Sequence, residues 1–261
     1  MQPAPATASS SFVLGDAPGS GLCASQDEAS VRADLAAAYR LIARQGWDDL
    51  IYSHVTAAVP GEPGHFLINA FGLAFDEIRP ANLLKVDLAG RLVDAGAVGA
   101  INRGGYALHA AVHRGRPDAQ CVMHLHETSA IAVSAHPQGL LPLSQHALRF
   151  HGFIAYHDYE GVVFEDAEAA RLLRALGDRP VALLRNHGLL VIGRTVAEAY
   201  TLTATLVKAC RIQVAALAGN PHPVLPAPAV IDRAASQLFD NGALEGAWEW
   251  PALLRSLTTL P

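Results

Sequence analysis

Cys121-Val122-Met123-His124-Leu125-His126 is an apolar run that carries histidines at alternate positions. In a strand successive side chains leave on opposite faces, so His124 and His126 share one face and Leu125 takes the other. Two same-face imidazoles at a strand end are a common start for a Zn²⁺, Fe²⁺ or Mn²⁺ site. A lone histidine in apolar surroundings is more often a hydrogen-bonded structural group; a same-face pair is a stronger signal. Gln120–His126 therefore reads as a strand and Glu127–Ala135 as the helix that follows. Strand alternation turns Glu127 away from the pair, which suits an acid at a helix N-terminus.

His187 stands in Leu184-Arg185-Asn186-His187-Gly188-Leu189, a polar break between two apolar strands, Val181–Arg185 and Leu189–Ile192. Gly188 permits a tight turn that exposes the imidazole. Spacing alone does not bring His187 to the other pair, and a surface turn histidine is the plain alternative.

Upstream, Val31, Leu35, Ala38, Tyr39 and Ile42 recur at three- and four-residue spacing, which predicts an amphipathic helix over Ser30–Gln45 ended by Gly46. Short strands follow at Ser53–Val59, Phe66–Asn69, Leu83–Asp87 and Arg91–Val93, separated by turn signals such as Pro60-Gly61-Glu62-Pro63-Gly64. Tight turns between short strands favour antiparallel pairing. A helix over Gly105–Arg114 is stopped by Gly115 and Pro117. Beyond the histidine pair come a strand at Phe153–Tyr156 and a helix at Ala167–Leu176. A long Ala/Leu/Val-rich helix over Val196–Leu217 ends at Gly219-Asn220-Pro221. Residues 1–26, rich in Ala, Ser, Pro and Gly, read as a disordered arm. Residues 27–220 form one domain, and 221–261 a C-terminal extension that wraps the domain or a neighbour. The fold class this pattern gives is α/β: a central, mostly antiparallel sheet with helices packed on it around one core.

Of the 261 residues 51% are hydrophobic and 16% charged, enough apolar material for a two-sided core. A formal net charge of -5 and no long Lys/Arg run argue against nucleic acid as a partner. Cys23, Cys121 and Cys210 are odd in number and far apart, so each reads as a small buried apolar residue in a reducing compartment. No apolar stretch is long enough for a bilayer and no secretory signal is visible, which makes the cytoplasm the expected location.

Taken together, the motifs resemble the class II aldolase/adducin family, in its adducin-like branch. They are Arg116-Pro117-Asp118 before His124-Leu125-His126, with Arg185-Asn186-His187-Gly188 some sixty residues later. Phe66-Leu67-Ile68-Asn69-Ala70-Phe71-Gly72, Lys85-Val86-Asp87 and Tyr156-His157-Asp158-Tyr159-Glu160-Gly161 fit that branch, and the match spans about Ser30 to Asn220. The resemblance implies an α/β/α domain assembled as a homotetramer, with sites near subunit interfaces. It implies a divalent metal ion (Zn, Mn or Fe) held by His124, His126 and His187, and a small-molecule substrate.

Departures from the family pattern narrow the chemistry. Sugar-phosphate aldolases of the family carry a glutamate, as base or extra ligand, four residues before the histidine that matches His109; here that position is Gly105. Their catalytic tyrosine lies in the segment matching Leu141-Pro142-Leu143-Ser144-Gln145-His146, where an ungapped count places His146, the expected proton shuttle. Their phosphate-binding segments match Tyr52-Ser53-His54-Val55-Thr56 and Ala70-Phe71-Gly72, and the usual downstream arginine is Ala58. His54, Asn69 and Gly72 are accordingly expected at the substrate, which should be unphosphorylated. His109 and His113, four apart on one helix face, either line the site or pack beside it. Tyr159 and Glu160 read as turn residues.

The expected activity is metal-dependent carbon–carbon cleavage, aldolase or decarboxylase, of a small oxo or hydroxy acid through a metal-stabilised enediolate. Two rivals stand beside it: a non-haem iron oxygenase or oxidative decarboxylase, and a non-catalytic adducin-like binding or scaffold protein. The metal content of the protein separates them.

Overall fold

Apolar residues at helical spacing wind Glu28–Gln45 into the first helix, α1, whose start and stop follow from its ends. The Asp27 carboxylate accepts from the Ser30 N–H, and Gly46 turns left-handed with φ of 63° to close the C-terminus. The computed structural model describes residues 27–94, 99–161, 166–219, 222–239 and 246–258. The N-terminal arm with Cys23, and Asn220 and Pro221 of the helix stop, lie outside the described residues.

Seven strands form one sheet: β1 (His54–Ala58), β2 (His65–Ile68), β3 (Leu84–Asp87), β4 (Cys121–Leu125), β5 (Ile154–His157), β6 (Val181–Leu184) and β7 (Gly188–Gly193). Their order is β3-β2-β1-β4-β7-β6-β5, with β5–β6 parallel and the other neighbouring pairs antiparallel. The sheet is thus mostly antiparallel, as the residue pattern implies, and lies in the α/β/α domain that the resemblance implies. Arg91–Val93 departs from expectation: it folds back on β3, the Asp87 N–H donating to the Arg91 carbonyl and the Val93 N–H to the Lys85 carbonyl, but makes a single bridge, Val86 to Leu92, rather than a strand.

Alternation on β4 and β7 builds the layers. Cys121, Met123 and Leu125, with Leu189 and Val191, pack on one face against α1 and the long helix α6 (Val196–Leu217). Val122, Leu190 and Ile192 pack on the other face against α2 (Arg103–Gly115) and α5 (Asp166–Leu176). Each fully buried Leu, Val or Ile contributes roughly 1.5–3 kcal/mol, so a one-residue slip of β4 would be strongly disfavoured. That register carries His124 onto the α2 face with Val122, directly across from His54 on β1.

Shorter helices complete the described chain: α3 (Thr128–Ser134), α4 (Gln145–Leu148), α7 (Pro228–Phe239) and α8 (Glu249–Thr258). Glu127 caps α3, its side chain accepting from the Ala130 N–H and pairing with Arg211, as a helix N-terminal acid should. The core extends past residue 220: Trp250 of α8 is buried against Tyr200, and its indole N–H donates to Asp34 at 2.9 Å. No helix among the described residues is long and apolar enough to cross a membrane.

Candidate metal centre

The ends of β1 and β4, the β6–β7 turn and the start of α2 enclose a cavity of about 710 Å³. Three imidazoles meet in its wall. His124 is the fourth residue of β4, and His126 follows the strand's last residue, so both arrive on the same face. His187 reaches them from the β6–β7 turn. There Asn186 takes a left-handed φ of 59°, and the His187 N–H donates to the Leu184 carbonyl at 3.1 Å. The glycine of that turn serves a different purpose from the one its position suggests. Gly188 is not in the left-handed region; a Cβ there would stand 2.4 Å from the Leu125 carbonyl oxygen, so glycine lets β7 close onto the end of β4.

Hydrogen bonds on the far side of each ring decide what the near side offers. His124 Nδ1 lies 2.9 Å from the Leu189 carbonyl, which only accepts, so Nδ1 carries the proton. His126 Nδ1 lies 2.8 Å from an Asp49 carboxylate oxygen, which fixes the same tautomer. Both Nε2 atoms are left as bare lone pairs, and they stand 3.1 Å apart; His187 Nε2 is 3.1 Å from that of His126. Burial, then the neighbouring imidazoles, holds His124 well below the ordinary histidine value. Burial, then His126, lowers His187 to about 4. The bare Nε2 lone pairs of His124 and His126 repel each other and suit a cation between them. All three ligand atoms lie within 4.8 Å of one another, a compact set of nitrogen donors for Zn²⁺, Mn²⁺ or Fe²⁺.

The other expected residues distribute unevenly. His54 lines the cavity, 3% exposed, with both ring nitrogens lacking a protein partner among the described residues. Asn69 is buried outside the cavity lining and committed to Tyr39, whose hydroxyl donates to Asn69 Oδ1 at 2.9 Å. Gly72 sits in an exposed turn with φ of 100° and does not line the cavity, although the adjacent Phe71 ring lies 6.3 Å from cavity-lining Tyr52. His146, on α4, lines a different cavity of about 770 Å³ with Trp47, Tyr200 and Lys208. Within one chain it is separate from the three imidazoles, because α4 packs on α6 at the opposite face of the sheet.

His109 and His113 pack beside the site rather than in its lining, both bonded to Thr56 Oγ1, at 2.8 and 2.7 Å. Tyr159 does more than turn the chain: it lines the cavity with its ring 6.1 Å from that of His187, whereas Glu160 pairs with Arg171 outside. Sequence reasoning missed Asp49, the partner of His126, and also Tyr52, Asn102 and Asp158 in the cavity wall. No spacing marks Asp49, which reaches the site from the loop between α1 and β1. A strained neighbour, Leu50 with φ of 53°, is visible only in the structure.

A three-layer α/β/α domain with imidazole donors gathered at the ends of central strands of a mostly antiparallel sheet defines a class, and the chain belongs to the class II aldolase and adducin family. Residues 33–214 match the family model described as the Class II Aldolase and Adducin N-terminal domain. A putative aldolase class 2 protein from Caulobacter vibrioides is 45% identical over 234 residues, 89% of this chain and 91% of that protein. Alpha-adducin from Mus musculus is 44% identical over 198 residues, 75% of this chain but only 27% of the adducin. Among solved structures, an aldolase II superfamily protein from Pseudomonas syringae superimposes with a TM-score of 0.86 at 48% identity, covering 89% of this chain and 94% of that one. The chain is thus similar both to a protein named as a putative class 2 aldolase and to an adducin.

Proposed function

We propose that the protein is a divalent-metal-dependent carbon–carbon lyase, aldolase or decarboxylase, acting on a small unphosphorylated oxo or hydroxy acid. The observation that carries this reading is the convergence of the Nε2 atoms of His124, His126 and His187, the first two left as bare lone pairs by Nδ1–H donation to Leu189 and Asp49. A divalent ion bound there supplies Lewis-acid polarisation of the substrate's carbonyl or carboxylate oxygens. The chain supplies the rest. His54 contacts the substrate from the cavity wall, and Tyr52 and Tyr159 flank it with aromatic surface. His146 is a proton shuttle only for the cavity of a neighbouring copy, in keeping with a homotetramer.

Charge in the cavity supports an unphosphorylated substrate. Among the described residues Arg185 is the one Lys or Arg in the lining, and its guanidinium already donates to the Ser134 and His136 carbonyls, at 3.0 and 2.7 Å. It also lies 4.4 Å above the Tyr156 ring. Asp49, Asp158 and Glu168 line the same space. A phosphate dianion would meet these carboxylates, and the one cation beside them is already engaged.

The similarity to alpha-adducin favours a second reading, a binding role without catalysis. Elemental analysis of freshly purified protein, beside a His124→Ala/His126→Ala variant, decides between them. Near-stoichiometric metal that vanishes in the variant is expected. Absence of metal even after reconstitution would refute the lyase reading and leave the binding role. Zinc or manganese directs the assay to retro-aldol and decarboxylase substrates, iron to O₂ uptake.

A further inference from the structure

Gly105 and His54 occupy one space. A Cβ built on Gly105 would stand 2.1 Å from Cε1 of the His54 ring and 2.6 Å from its Nδ1, so the imidazole fills the volume that any side chain at 105 would enter. Gly105 is the third residue of α2, and its N–H is held by the Asn102 side chain, so the helix backbone cannot readily retreat. The ring therefore depends on the absence of a side chain there. It ends up in the cavity wall, across from His124 in the β1–β4 register, with two buried nitrogens and no protein partner among the described residues. Burying polar atoms unpaired is costly, which marks them as groups reserved for a ligand or ordered water.

A hydrogen-bond file ends at the ring beside His54. The Ala119 carbonyl can only accept, so His113 Nδ1, 2.8 Å away, donates to it and leaves Nε2 bare. Thr56 Oγ1 must then donate its proton to His113 Nε2, and it accepts from His109 Nδ1. The protonated Nδ1 leaves His109 Nε2 as a buried acceptor without a protein partner among the described residues. The His54 ring stands edge-on to His109, with centroids 6.0 Å apart. A neutral His54 carries one N–H and one lone pair, and the nearby His109 lone pair favours the tautomer with the N–H on its side, which leaves the other nitrogen as an acceptor for the cavity. An acceptor beside the three imidazoles calls for a ligand that brings a donor.

We propose that His54, in the room left by Gly105, accepts a hydrogen bond from a hydroxyl of the substrate, so that the site selects a hydroxy compound over its deoxy analogue. This rests on the metal-centre reading above. The test uses Co²⁺-loaded protein and two chelating probes, glycolohydroxamate and acetohydroxamate, the second lacking the hydroxyl. Binding is followed by the cobalt visible spectrum. The wild type is expected to bind glycolohydroxamate about tenfold more tightly, the effect of one buried hydrogen bond. His54→Phe, and independently Gly105→Ala through the clash of its Cβ with the ring, should bring the two affinities within about twofold of each other. His54→Ala replaces His54→Phe if thermal melting shows that the larger ring does not fold. Equal affinities in the wild type, or a preference that survives in the variants, would overturn the role of His54. Failure of the wild type to bind Co²⁺ would instead bring down the metal centre itself, and this proposal with it.

Discussion

Asp49→Ala perturbs the metal centre without touching a ligand. The Asp49 carboxylate accepts from His126 Nδ1 at 2.8 Å and so keeps the proton off Nε2. A hydrogen bond to a charged group is worth about 1.5–3 kcal/mol when shielded, or roughly 12- to 160-fold in an equilibrium constant. The Asp49 side chain is 46% exposed, so water screens the pair and can replace the lost acceptor. The lower end applies, and Asp49→Ala should weaken Zn²⁺ binding by about tenfold, at the bottom of the range for outer-shell partners of ligating histidines. Asp49→Asn keeps an acceptor but not the charge and should fall between. Competition with a chromophoric chelator measures both, with Glu127→Ala as the control, since Glu127 caps α3 outside the cavity. An affinity within twofold of wild type for Asp49→Ala would show that His126 needs no partner to hold its tautomer. The account of two fixed lone pairs would then be wrong.

Two further outcomes follow from packing and burial. Burial lowers His54 and His113 to about 4, whereas the unfolded chain titrates near 6.5, so the unfolded state binds more protons between those values. The stability of metal-free protein should therefore fall as pH drops from 6.5 toward 4, by up to about 3 kcal/mol per buried imidazole. Denaturant midpoints at pH 7, 6 and 5 measure this, and a flat profile would contradict the buried neutral state. Gly188→Ala places a Cβ 2.4 Å from the Leu125 carbonyl oxygen and should cost about 1–3 kcal/mol. It should also displace His187 and lower metal content, whereas an unchanged melting temperature with full metal would show that the turn has room to spare.

Periodicity and alternation depend on neighbours along the chain, and what they determine is legible in the sequence. The three-four spacing of Val31, Leu35, Ala38 and Ile42 specifies α1, and Val196–Leu217 matches α6 residue for residue. The period of two in Met123-His124-Leu125-His126 puts both imidazoles on one face by strand geometry alone. Motif resemblance supplies the family and nominates His187 as the third member, a residue that spacing does not reach. Three-dimensional packing decides the remainder. Asp49 comes to His126 across 77 residues, and Arg91–Val93 fails as a strand because no neighbour pairs with it beyond one bridge among the described residues. His146 and the imidazoles belong to opposite sides of a sheet whose order the chain sequence does not state. Gly105, in sequence merely a missing side chain, proves to be the space in which His54 stands. Local patterns record which face a residue takes; which residues meet depends on strand order and close approach, and those are settled only when the whole sheet is packed.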